Sequence, residues 1–325
     1  FSKKFLINKF LIDTLKVIAI AYLFMVLLWP HTHENILTMP FKLAYEGLSF
    51  GFGVPYTLLN GEFFSTGEFP KSYLIKNLFF RLPEYVIISY LVFIILFFQI
   101  SRQFSKTFTS FNLKILLILF VVFFPNILIV FSPYPLYDGI RLFLFIIPYI
   151  AVIPSVMIYY LYKNSTATLN KIFSIILIIF TAFFAFNFFN LTPYQYVYLN
   201  AFAGKISDHS KKFENDYWGI STKKLISKIR NNQEILKSNN IKFTTCGIEQ
   251  SSQANYLKKI KNLKFKLVNY NENYDYIIMN NRITFGKEKN PNKVETCFER
   301  FKGEDLIEIK VRGLVISKIT KNTNN

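Results

Sequence analysis

The stretch SPYPLYDGIRLFLFIIPYIAV (residues 132–152) places Asp138 and Arg141 directly before a long apolar run. A charge at the edge of an apolar segment is costly unless it is paired or bound. An arginine keeps its charge, and its planar set of donors matches the oxygens of a phosphate. Arg141 is therefore a candidate ligand for an anion, with Asp138 as the residue that orients it. The alternative is structural: Arg141 pairs with Asp138 across one turn or extends toward the membrane interface.

Further residues that could contact a bound molecule lie in two other stretches. LNGEFFSTGEFPKSYL (residues 59–74) and its continuation to residue 86 interleave charged and aromatic side chains, as ordered functional loops do. The alternative for this stretch is a structural cap over helix ends. In DYWG (residues 216–219) the indole could stack on a sugar, although a membrane anchor is its more common use. The possible substrate-lining residues are Glu62, Glu68, Lys71, Tyr73, Arg81, Asp216 and Trp218.

Two histidines, His31 and His33, form an HxH pair in WPHTHEN. Two imidazoles at this spacing can bind a metal, but only His209 remains elsewhere in the chain to complete a site. We therefore predict a solvated loop here and no metal.

The distribution of apolar side chains predicts the elements that carry these residues. The 325-residue chain is 52% hydrophobic and 18% aromatic, and its long apolar runs end at Phe189. A spanning helix needs about 20 mostly apolar residues. We predict a polytopic α-helical membrane domain over residues 1–190, with a large outer loop at 30–83, and a small extracytoplasmic α/β domain over residues 191–325. The five predicted spans cover residues 10–29, 84–100, 113–131, 141–162 and 171–189.

The orientation follows from lysine and arginine in the short loops. The N-terminal segment and the second and fourth connections carry basic residues without acids, whereas the first connection is balanced and the third has only Asp138 and Arg141. The pattern predicts a cytoplasmic N-terminus and an outer C-terminal domain. From Leu191 onward there are 24 Lys and Arg against 13 Asp and Glu. This excess would favour the inside, but long domains cross largely regardless of charge. It suits either an anionic lipid surface or a generally lysine-rich composition.

Local patterns predict structure in the outer loop and in the tail. FKLAYEGLSFGFGVPYTLL (residues 41–59) predicts an interfacial helix followed by a turn at its glycines and proline. In the tail, a helix is predicted to begin near Ser221, strands at 242–248, 264–270 and 274–281, a helix at 253–260, and a hairpin from 305–310 and 313–320. Cys246 and Cys297 could form a disulfide in an outer domain, or remain free if their geometry forbids it.

Four stretches together suggest a family. WP at residues 29–30, LNGEFFSTGEFPKSYL, PLYDGIRLFLFIIP at residues 135–148 and FENDYWGISTKKL at residues 213–225 occur in this order. They resemble the C-terminal part of bacterial family 39 glycosyltransferases, relatives of the protein O-mannosyltransferases and aminoarabinose transferases, which have the GT-C fold. Relatives often carry His where this chain has Leu142.

The resemblance implies an enzyme of hexosyl or mannosyl transferase type. It would move a sugar from a polyprenyl-phosphate donor to a glycan, lipid or protein acceptor on the outside of a bacterial inner membrane, with no cofactor besides the donor and no nucleic-acid partner. The resemblance then implies that Arg141, oriented by Asp138, binds the phosphate of the donor. In such enzymes the catalytic carboxylate lies in the first outer loop. No segment here matches that loop. The first residue is Phe, and the sequence before the first span does not read as a signal peptide. We therefore expect a fragment whose general base lies upstream of Phe1.

Two other classes of function are compatible with a multispan chain. A transporter or flippase would move a lipid-linked sugar without chemistry, and is expected to show internal repeats and polar residues within the spans. A membrane anchor would merely present the tail domain. No repeat is found, and the spans carry almost no charge apart from Asp13 and Lys16. The transferase is therefore the preferred interpretation.

Overall fold

The computed structural model of the chain describes residues 3–49, 56–65, 68, 70–131, 136–216, 218–237, 240–283 and 294–323. It forms two compact units, Phe1–Gly53 and Val54–Asn325. This division differs from the boundary predicted near residue 190, which separates apolar from polar sequence. The second unit contains apolar helices and the tail together, so the predicted membrane boundary stays a prediction about the surroundings of each part.

The first unit contains two helices joined by a tight turn. Helix α1 covers Lys3–Leu28, a 3-10 helix covers Pro30–Glu34, and helix α2 covers Met39–Ser49. Thr32 donates its hydroxyl hydrogen to the carbonyl of Trp29 at 2.6 Å and is fully buried, which closes the turn after α1. Helix α2 matches the helix predicted before the glycines. The predicted turn at residues 51–55 lies outside the described residues.

The second unit begins with a β-hairpin that is not among the elements predicted from the sequence. Strands β1 (Tyr56–Leu59) and β2 (Glu62–Ser65) pair antiparallel, and helix α3 follows at Tyr73–Arg81. Asn60 and Gly61 in the turn both have positive φ, 53° and 90°. An Asn-Gly pair adopts this conformation readily, and the resulting turn matches the twist of the two strands. The hairpin is thus explained by a local signal.

Within the part of the chain that the structure describes, five helices are long and apolar enough to span a membrane, in agreement with the five predicted spans. They cover Asn8–Leu28 within α1, Glu84–Phe104 (α4), Phe111–Phe131 (α5), Arg141–Asn164 and Ala167–Leu191 (α8). The fourth is interrupted: a 3-10 segment, Arg141–Ile146, leads into α6 (Ile147–Ile150) and α7 (Val152–Asn164). Pro148 and Pro154 lie in the first turns of α6 and α7, where a proline needs no hydrogen-bond donor.

The tail continues through a short helix α9 (His209–Lys212) into an α/β fold. The helices and strands of this fold are α10 Ile220–Ser227, α11 Gln233–Lys237, β3 Ile241–Cys246, α12 Gln250–Leu257, β4 Phe265–Leu267, β5 Tyr276–Asn280, α13 Cys297–Arg300, β6 Glu304–Val311 and β7 Leu314–Lys321. The strands form one sheet in the order β4-β3-β5-β7-β6. Strands β4, β3 and β5 are parallel, and β7 pairs antiparallel with both β5 and β6. The small α/β region predicted from the sequence is confirmed.

One face of α10 and its continuation packs on this sheet. Leu225, Ile226 and Ile229 are almost fully buried together with Phe243 and Ile316. On the sheet's other side, the structure joins Cys246, at the end of β3, to Cys297, at the start of α13, in a disulfide. A second cluster connects the hairpin, α3 and the segment before the fourth apolar helix; it includes Leu59, Tyr73, Leu74, Leu136, Ile146 and Phe213. This cluster positions the residues considered next.

Candidate functional site

The turn that precedes Arg141 is held by α3. Asp138 and Gly139 both have positive φ, 57° and 67°, a conformation that aspartate tolerates and glycine adopts freely. The Tyr73 hydroxyl lies 3.0 Å from the amide nitrogen of Gly139 and 3.3 Å from its carbonyl oxygen. A Cβ on Gly139 would lie 3.1 Å from Nε of Arg81. The turn therefore fits closely against two of the predicted site residues.

Asp138 lies between two arginines. Its Oδ2 accepts a hydrogen bond from Nη1 of Arg141 at 3.0 Å, and its Oδ1 lies 3.4 Å from Nη2 of Arg282. The Asp138 side chain is 4% exposed, and burial raises its pKa, while Arg282 and Arg141 oppose that rise. One carboxylate between two guanidinium groups leaves one positive charge in the trio. Asp138 thus has the geometry of the orienting residue that the sequence suggested.

Arg141 is enclosed by aromatic rings but not buried. Its guanidinium carbon lies 4.2 Å above the ring of Trp218 and 5.8 Å from the ring of Tyr137. Stacking of this kind fixes the plane of the guanidinium and leaves its edge donors available. The side chain is 35% exposed, and its bond to Asp138 uses only one of its nitrogens. The predicted structural pair is present, and the remaining edge can still bind an anion.

Arg282 and Glu214 are the members of this site that sequence reasoning missed. Glu214 is buried, its Oε2 lies 3.4 Å from the Thr57 hydroxyl, and its Oε1 has no hydrogen-bond partner among the described residues. Burial raises the pKa of Glu214 to about 7, although Arg282 opposes the rise. Glu214 lies inside the quoted stretch FENDYWG, whereas Arg282 contacts Asp138 across 144 residues and leaves no local signal.

The other predicted residues have different surroundings. Arg81 donates to Oδ1 of Asn77 at 3.3 Å and to the carbonyl of Tyr196 at 2.9 Å, so it connects α3 to the segment after α8. The carboxylate of Asp216 accepts from the backbone of Ile220 and Ser221 at 3.0 Å each and therefore caps α10. These hydrogen bonds give both residues a structural role next to the site, and their predicted contact with a substrate stays a prediction. The other predicted residues, Glu62, Glu68 and Lys71, are exposed, and none of them is among the described contacts of Asp138.

The HxH pair lies in the first unit. His33 has its Nε2 2.7 Å from the carbonyl oxygen of Val26, and Nδ1 of His31 lies 4.0 Å from Glu34. Among the described residues no three His, Cys, Asp or Glu side chains converge as metal ligands would.

Comparisons of the chain with protein-family models, with curated proteins and with solved structures find no match. The resemblance to family 39 therefore depends on the four sequence stretches. Three of them contribute to one place in the second unit: α3, the 136–141 turn and the 213–219 segment meet around Asp138.

Proposed function

We propose that this chain is the C-terminal part of an integral membrane glycosyltransferase that uses a polyprenyl-phosphate sugar as donor. The carrying observation is the partly exposed Arg141 guanidinium, held by Asp138 and stacked on Trp218, at the first residue of an apolar helix long enough to cross a membrane. That position suits the phosphate of a lipid whose chain lies among the helices, because a guanidinium at this depth would otherwise be an expensive charge.

The proposed chemistry divides the work between two charges. An acceptor hydroxyl loses its proton to a carboxylate and attacks the anomeric carbon, while the bond from that carbon to the phosphate oxygen breaks. Negative charge then accumulates on the departing lipid phosphate. Arg141 would stabilise that charge, and Asp138, with Arg282 behind it, would hold Arg141 in place. The resemblance assigns the carboxylate base to a segment upstream of Phe1.

We also propose an orientation of the chain in the membrane. The basic short loops support a cytoplasmic N-terminus and an extracytoplasmic C-terminal domain, so that Arg141 would face the outer headgroup layer. The acceptor would then approach from the side of the tail domain, next to the exposed ring of Trp218.

The test is transfer by the full-length protein in proteoliposomes that contain a polyprenyl-phosphate sugar. We expect Arg141→Ala to slow sugar transfer by about 10²–10³-fold, the usual loss for a group that stabilises developing negative charge. Arg141→Lys should retain part of the rate, since it keeps the charge but loses the fork. Arg230→Ala, which removes an exposed arginine of the tail, is the matched control. Normal turnover by Arg141→Ala would overturn the proposal, and movement of intact donor across the bilayer without transfer would favour the flippase.

A further inference from the structure

A cavity lies where the ends of two apolar helices meet the tail sheet. It has a volume of about 330 Å³ and is lined by residues from the start of α4, the end of α8, the segment 197–209 and the turn between β6 and β7. Glu84 is the first residue of α4 and Leu191 the last of α8. If these helices cross a membrane, both ends lie on the same border of it, at the depth of lipid headgroups.

The cavity contains an amide that the protein itself does not satisfy. The side chain of Asn187, on α8, makes no hydrogen bond to another group that the structure describes, although the residue is only 7% exposed and lines the cavity. A polar side chain on an apolar helix is unfavourable unless something satisfies it, and here its partner has to come from the cavity. Its place in the cavity wall lets a bound molecule supply the missing partner. This observation points to a ligand with hydrogen-bonding atoms at that depth.

Two opposite charges line the same cavity. Arg312 lies in the β6–β7 turn with a φ of 50°, and it forms no ion pair or hydrogen bond within the described part of the chain. Glu84 accepts a hydrogen bond from the Ala201 amide at 2.7 Å and lies 3.5 Å from the Tyr198 hydroxyl, which leaves lone pairs on both oxygens. His209 also lines the wall, and burial, together with Lys212 and Arg312, lowers its pKa.

The remaining wall is apolar and faces the helices. Phe183 and Leu191 contribute from α8, and Val311 and Leu314 contribute from the sheet. Phe183 is 60% exposed, as expected of a side chain that contacts lipid tails. An occupant that fits all these groups has one anionic group, one cationic group and an apolar chain.

We propose that this cavity binds a zwitterionic phospholipid with a primary amine, of the phosphatidylethanolamine type. Its phosphate would contact Arg312 and the Asn187 amide, its ammonium group would contact Glu84, and its acyl chains would lie against α8. A polyprenyl phosphate shares the phosphate and the apolar chain but lacks the amine. The two sources are therefore separable by the role of Glu84, and the inference does not depend on the proposed transferase activity.

The experiment is native mass spectrometry of the full chain in detergent, titrated with phosphatidylethanolamine, phosphatidylcholine and polyprenyl phosphate. Arg312→Ala and Asn187→Leu should each weaken retention of phosphatidylethanolamine by about tenfold, as for loss of one hydrogen bond to a charged group. Glu84→Gln keeps the acceptor for the Ala201 amide, and should abolish only the preference for phosphatidylethanolamine over phosphatidylcholine. Lys258→Ala, which changes an exposed residue outside the cavity, is the control and should leave retention of all three lipids unchanged.

Wild-type retention of phosphatidylethanolamine in both Glu84→Gln and Arg312→Ala would overturn the assignment, as would an Arg312→Ala variant that loses polyprenyl phosphate but keeps phosphatidylethanolamine. If Arg312→Ala does not fold, Arg312→Gln, which removes the charge but keeps a long polar side chain, replaces it and should weaken retention by a similar factor. Loss of phosphatidylethanolamine in Arg141→Ala together with wild-type retention in Arg312→Gln and Glu84→Gln would move the lipid site to Arg141 and refute the cavity.

Discussion

The replacement Glu214→Gln tests the electrostatics of the site through its pH dependence. Glu214 is buried against Thr57, and its pKa rises from 4.5 to about 7 because burial disfavours the carboxylate. The unfolded chain releases this proton near pH 4.5, whereas the folded chain keeps it until about pH 7. Between these values the folded state binds more protons, so the free energy of unfolding falls as the pH rises.

The expected size follows from the two pKa values. Their difference corresponds to about 3 kcal/mol of stability that is present below pH 4.5 and lost once the pH passes the folded pKa. Glutamine resembles the protonated carboxyl and cannot ionise. Glu214→Gln should therefore melt close to the wild type at pH 5 and above it by roughly 6–12 °C at pH 8, from the usual relation between unfolding free energy and Tm.

The assay is thermal unfolding in detergent, followed by circular dichroism, at half-unit steps from pH 5 to pH 8.5. Glu304→Gln, the same change on an exposed residue of β6, should follow the wild-type Tm throughout. Parallel melting curves for the wild type and Glu214→Gln across the whole range would refute the reasoning, because Glu214 would then not retain its proton on folding.

Three further predictions concern stability. Cys297→Ser removes the disulfide to Cys246, which closes a sequence separation of 51 residues, and should cost about 2–4 kcal/mol; reducing agent should lower the wild-type Tm and leave the variant unchanged, and an equal Tm loss in both would contradict this. Asn126→Leu should raise the free energy of unfolding by roughly 1–3 kcal/mol, and with it the Tm, because neither polar atom of this buried amide in α5 has a partner among the described residues. A lower Tm would show that the amide is satisfied. Asn200→Ala should cost about 2–4 kcal/mol, measured by denaturant unfolding, since its amide donates to the carbonyls of Phe79 and Leu82 and accepts from the Phe202 amide; a change below 1 kcal/mol would contradict that value.

The sequence predicts those parts of the fold that depend on local patterns. The five apolar helices follow from runs of about 20 residues, since each run alone must satisfy its backbone within a membrane. The tail helix at Ile220–Ser227 and the final hairpin follow from periodicity and turns. The hairpin at 56–65 is not predicted, although Asn60-Gly61 signals it, because the helix-like spacing of the residues before it favours a helix followed by a turn.

Only the part of the site that is close in sequence can be predicted from the sequence. The pair of Asp138 and Arg141 is predictable, because three residues separate them in sequence. Arg282 reaches the same carboxylate only because the tail folds back onto the 136–141 turn, and nothing near residue 282 encodes that contact. The sequence predicts Asp216 as a residue that lines the substrate site. Its carboxylate also accepts hydrogen bonds from the first backbone amides of α10, and the sequence alone does not show this second role.

The proposed function requires Arg141 to lie at the outer membrane border, within reach of a lipid phosphate. The most direct measurement is labelling of Trp218→Cys in the full-length protein with a membrane-impermeant maleimide, in sealed right-side-out vesicles, with and without polyprenyl phosphate. Trp218 is the ring stacked on Arg141, and it is 56% exposed. We predict labelling from outside that polyprenyl phosphate slows, and no slowing when Arg141→Ala is added. Labelling only after permeabilisation, or a rate unaffected by polyprenyl phosphate, would contradict the claim.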